Sequence, residues 1–90
     1  MLSLVDCLDF IDLDRDTIDI IAEHEHLSTA LATQLGNLLI ADRHGLLTLH
    51  EMHRNLIAAC ARNGNLTREK VLRQLYTRFS RKYPMPLGRL

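Results

Sequence analysis

An all-α fold, a small single-domain bundle of four to five short helices, is what this sequence predicts, and three observations point to it. Apolar residues recur at helical spacing, as in Leu49, Met52, Leu56 and Ile57, and no stretch alternates as a half-buried strand would. Aromatics are confined to Phe10, Tyr76, Phe79 and Tyr83 with no Trp, so Leu, Ile and Ala must fill the interior, which suits helix-on-helix packing. The only prolines, Pro84 and Pro86, lie near the C-terminus and no low-complexity linker divides the chain, so residues 1–90 read as one domain.

Taken in order, Leu4, Val5, Leu8 and Ile11 follow helical spacing after Ser3, a predicted N-cap. Residues 12–16 form an acidic connector. Asp16 or Thr17 caps a second helix through Ile18, Ile20, Ile21 and Ala22, ending around His26. A break falls near residue 27, where Ser28 and Thr29 open a third helix with the stripe Leu31, Leu35, Leu38 and Leu39. Without that break, one helix would run from Thr17 to Ala41 with Ile20, His24, Leu27, Leu31, Leu35 and Leu38 on one side. Thr48 and Glu51 have capping-box spacing, flanked by Leu47 and Met52 as a hydrophobic staple, so the next helix is expected to start at Thr48 and stop at Asn63-Gly64. Gly64-Asn65-Leu66-Thr67 repeats this turn pattern. Thr67 is then the expected cap of a last helix, about residues 68–83, burying Val71, Leu72, Leu75, Tyr76 and Phe79.

The formal charges sum to zero but are sorted along the chain. Residues 1–25 hold eight acids against Arg15, and residues 54–90 hold nine bases against Glu69. Such segregation points to a polyanionic partner, to self-association, or to one end packing on the other. In the last case Asp9, Asp12, Asp14 and Asp16 would cover Arg73, Arg78 and Arg81.

Two dense groups of His and Glu stand out among only five histidines. Glu23 and His26 have the i, i+3 spacing with which di-iron bundles present ligands, and His24 lies between them. His50 and His53 share one helical side and can offer two imidazoles to one ion. Glu23, His24, His26, His50 and His53 are therefore the candidate metal ligands, with Zn or Fe as the ion, although the fold requires no cofactor. The competing reading places His24 and His26 against the carbonyls of a last helical turn and His53 at the edge of the core. No second Glu-x-x-His and no HExxH occurs.

Asp12, Asp14, Asp16 and Glu23 occupy positions one, three, five and twelve of a calcium loop, and Leu8, Phe10 and Ile11 precede it as apolar helix residues. Over roughly thirty residues the chain thus resembles the EF-hand family, which would imply Ca bound by those carboxylates. Thr17 stands where that family has glycine, and Asp19 where it has an aliphatic residue. A second partial match over residues 40–51 keeps Gly45, Leu47 and Glu51 but begins on Ile40. The alternative for the acidic run is a helix N-terminus favoured by its dipole.

Arg73, Arg78, Arg81 and Lys82 line the side of the last helix opposite its apolar residues, making them the candidate partner-binding residues. Nucleic acid is one candidate for that face, although the preceding turn fits the helix-turn-helix pattern poorly and the neutral total charge opposes strong non-specific binding. No glycine-rich phosphate loop, nucleophile elbow or Ser/His/Asp order occurs, so no enzyme is expected. Cys7 and Cys60 stand alone, as reduced thiols do, and the opening residues lack the basic start of a signal peptide. The expectation is a cytoplasmic, non-enzymatic interaction or regulatory module without a membrane segment, working by self-association or on a protein partner.

Overall fold

The computed structural model describes residues 13–86. Among them lie four helices and no strand: α1 (Arg15–Glu25), α2 (Thr29–Leu39), α3 (Arg43–Asn63) and α4 (Leu66–Lys82). The protein is all-α, as its periodicity requires. The helix expected over residues 3–11 lies outside the described residues.

Helix α1 begins where the Asp14 side chain accepts the Thr17 N–H at 3.0 Å, so Asp14 is the cap rather than Asp16 or Thr17. It ends at His26, whose left-handed backbone (φ 59) lets the Leu27 N–H reach back to Ala22 O at 3.0 Å. Ser28 Oγ then accepts the Leu31 N–H and starts α2, so the break near residue 27 is real and the single-helix alternative is excluded.

The next two starts correct the sequence reading. Helix α3 opens at Asp42, whose Oδ1 accepts the Gly45 N–H at 2.8 Å, and Thr48 is already inside it, donating to His44 O. Asp caps as well as Thr or better, and here it also ends a three-residue connector, so the earlier start wins. Helix α4 is capped by Asn65 Oδ1, which accepts the Arg68 N–H at 3.2 Å, not by Thr67. Gly64, at φ 75, closes α3 with the Asn65 N–H bonded to Cys60 O, as the Asn63-Gly64 stop predicts.

The short connections fold α1 on α2 and α3 on α4, and α1 also packs across α3 and α4. Ile18, Ile20 and Ile21 of α1 enter the core beside Leu49, Met52 and Ile57 of α3, closed by Leu72 and Phe79 of α4. Helix α2 supplies small residues instead: Ala32 and Gly36 are its buried positions. Leu13 and Ile21 press on Gly36, where an added Cβ would meet Ile21 Cδ1 at 3.1 Å. Because α2 turns its small residues inward, Leu31 and Leu38 rotate away from the core, while Leu35 and Leu39 pack against its edge. Leu31 is 51% exposed and Leu38 72% exposed. Val71, expected in the core, is 40% exposed.

Candidate functional site

The outward face of α2 results from this rotation. Residues 27–41 contain no charged side chain, although 24% of the whole chain is charged. Leu31 and Leu38 lie seven residues apart, so both crown one side of the helix, with Gln34 exposed between them and half-buried Leu27 and Leu35 alongside. Leu31 and Leu38 thus form an exposed apolar pair on an uncharged helix face.

A second arrangement lies between α3 and α4. His50 is fully buried and His53 is 2% exposed. The His50 ring meets Tyr76 and Phe79 edge-on, at centroid distances of 5.4 and 5.0 Å, while His53 stacks on the same two rings at 5.2 and 4.5 Å. His50 Nε2 lies 2.8 Å from the Tyr83 carbonyl, which only accepts, so that nitrogen carries the proton. Nδ1 is then the acceptor, and the Tyr76 hydroxyl donates to it at 2.8 Å. His53 Nδ1 lies 2.8 Å from Leu49 O and donates by the same logic.

Burial lowers the pKa of both imidazoles. For His50 the Tyr83 carbonyl opposes the shift and Arg54 adds to it. For His53 the Leu49 carbonyl opposes, His50 adds, and Asp14 opposes. A cavity of about 10 Å³, room for roughly one water, lies beside His53 and is lined also by Asp14, Asp16, Thr17 and Arg78.

The expected metal ligands are not brought together among the described residues. Among the described residues no three His, Cys, Asp or Glu side chains converge on a point where an ion would sit. Glu23 is taken by Arg68 at 2.6 Å, and His24 bridges Glu25 Oε2 (2.7 Å) and the Asn55 amide (3.1 Å). His26 forms the α1 terminus, and both nitrogens of His50 are spent within the protein. The EF-hand resemblance fails for a related reason. Helix α1 runs unbroken through Asp16 and Glu23, and α3 through most of the second match, so their carboxylates cannot wrap one ion. Asp12 lies outside the described residues.

The basic candidates are also placed. Arg78 lies 3.5 Å from Asp16 on α1, and Arg73 pairs within its own helix with Glu69 at 2.7 Å. Two ion pairs, Asp16–Arg78 and Glu23–Arg68, join α1 to α4, and of the expected cover only Asp16–Arg78 forms among the described residues. Asp14 is spent as a cap, and Asp9 lies outside the described residues. Lys82 stands over the Tyr83 ring at 5.9 Å. Sequence reasoning missed Tyr76 and Tyr83 as histidine partners. Their separation from His50 by 26 and 33 residues leaves no local signal.

Comparison with protein-family models, with curated proteins and with solved structures returned no match. No helix among the described residues is long and apolar enough to cross a membrane.

Proposed function

We propose that this chain is a non-enzymatic helical interaction module whose docking surface is the outer face of α2, and that its occupant is the same face of a second copy. The exposure of Leu31 and Leu38 on a helix without charge carries this reading. An uncharged face meets its own copy without like-charge repulsion. Antiparallel pairing about Gln34 sets Leu31 of one copy against Leu38 of the other and opposes the helix dipoles, as a two-fold interface requires. Exposed Glu25, just before α2, would then face exposed Arg43 and His44 beyond the partner helix's end. A polyanion is less favoured as partner, because Arg68, Arg73 and Arg78 already hold carboxylates.

Sedimentation velocity from low micromolar to roughly 1 mM spans association free energies of about 8 to 4 kcal/mol. The wild type should pass from monomer to dimer in that range. Leu31→Glu/Leu38→Glu should stay monomeric with an unchanged helical circular dichroism spectrum. A wild type that is monomeric throughout overturns the homotypic surface, and equal dimerisation of both proteins moves it away from α2.

A further inference from the structure

We infer that His50 and His53 form an acid-released latch that holds the C-terminal half of α4 on α3. The two imidazoles sit one turn apart on α3 and touch the same two rings of α4, Tyr76 and Phe79. His50 also grips the end of α4 directly, through the Tyr83 carbonyl, and accepts from the Tyr76 hydroxyl one helical stretch earlier. Every one of these contacts is satisfied by neutral rings.

Protonation changes this balance. A proton on His50 Nδ1 turns an acceptor into a donor facing the Tyr76 hydroxyl, which must then reverse its own hydrogen. A proton on His53 places a charge against the Tyr76 and Phe79 rings, in a site that meets only a cavity with room for about one water. The facing charges are mixed. Asp14, at the cap of α1, favours protonated His53, and Asp16 of α1 and Arg78 of α4, of opposite sign, line the same cavity. Within α3, Arg54 opposes protonation of His50, and the two histidines oppose each other once both are charged. Tyr76 and Tyr83 contribute only dipoles. Burial is the largest influence on both rings, so the native state binds fewer protons than the unfolded chain as pH falls.

The sign follows. Each histidine has a folded pKa below its unfolded value near 6.5, so its stabilisation is complete above that pH and is lost as pH drops below it. At pH 5.5 an unfolded histidine is favoured by protonation by up to about tenfold, so two give up to about a hundredfold. Release would free the segment from Tyr76 to Lys82, with Arg78 and Arg81, and uncover the α3 surface beneath it.

Hydrogen exchange of the wild-type chain at pH 7.5 and 5.5, corrected for intrinsic rates, tests the latch. Amides of residues 79–83 should lose protection by roughly tenfold or more at pH 5.5, while those of α1 near Ile20 and Ile21 lose less. A His24→Gln/His26→Gln/His44→Gln variant should behave like wild type. A His50→Gln/His53→Phe variant keeps an acceptor and an aromatic ring and should show no acid-dependent loss. Independently of how well that variant folds, the wild-type proton NMR titration of the His50 and His53 ring signals gives a second reading, with both midpoints expected below 6.5. Equal protection of residues 79–83 at the two pH values, or ring midpoints at or above 6.5, overturns the latch.

Discussion

Replacing Gly45 with alanine should destabilise the protein even though alanine is the better helix residue. Gly45 is the third residue of α3, and a Cβ built there collides with the carbonyl oxygen of Leu39, the last residue of α2. Helix propensity alone would reward the change by about 1 kcal/mol. Overpacking in a tight site costs about 1–3 kcal/mol, and the upper end applies because the obstacle is backbone rather than the tip of a flexible side chain. Moving Leu39 away would also pull on the connector that carries Asp42, whose bond to the Gly45 N–H caps α3. The net expectation is a loss of about 2 kcal/mol, equivalent to a fall in Tm of roughly 10 °C for a domain of this size. Thermal and urea melts of Gly45→Ala measure it. Gly64→Ala is the companion, because nothing lies within 4 Å of its added Cβ and only the φ of 75 opposes the change. Its cost should be about 1–2 kcal/mol, purely from the left-handed backbone. A Gly45→Ala protein at or above wild-type stability would show that α2 and α3 do not approach as closely as the structure places them.

Two further outcomes follow from the helix ends. Asp42→Ala and Asn65→Ala should each cost about 1 kcal/mol, because each removes an N-cap, whereas Thr48→Ala and Thr67→Ala should stay within about 0.5 kcal/mol of wild type; urea midpoints of the four variants separate the cases, and a larger loss at Thr48 than at Asp42 would restore the later helix start. His26→Gly should stabilise the chain by up to about 1 kcal/mol by relieving a side chain held at positive φ. A lower melting temperature for that variant would instead reveal a structural role for the imidazole.

The sequence announced the helices because helical periodicity is a local property, and it marked the stops at His26 and Gly64 because left-handed ends have local signatures too. It misplaced the starts of α1, α3 and α4, and at α3 the reason is also local. Thr48-Leu49-His50-Glu51 satisfies the capping-box pattern whether or not the helix has already begun, and only the bond from Asp42 to the Gly45 N–H shows that it has. The histidine pair was less accessible still. Spacing put His50 and His53 on one side of a helix, which fits ligands and core residues equally, and the decision lay with Tyr76, Phe79 and the Tyr83 carbonyl on another helix.

Helix α2 shows where periodicity itself runs out. Leu31, Leu35 and Leu38 share a side with a regularity that reads as a buried stripe, yet periodicity identifies a shared side without saying which neighbour it meets. Volume decides that. The space between α1 and α2 at Gly36 is already filled by the side chains of Leu13 and Ile21, so a small residue fits best against them. Ala32 and Gly36, one turn apart, are the sequence trace of that close approach, and they outrank the more numerous leucines because a larger side chain at Gly36 would have to displace Leu13 and Ile21. The same crowding that fixes Gly36 inward therefore forces Leu31 and Leu38 outward. Enlarging Gly36 would press against the side chains of Leu13 and Ile21, so the inner seam of α2 and its exposed leucine pair are two consequences of one packing constraint.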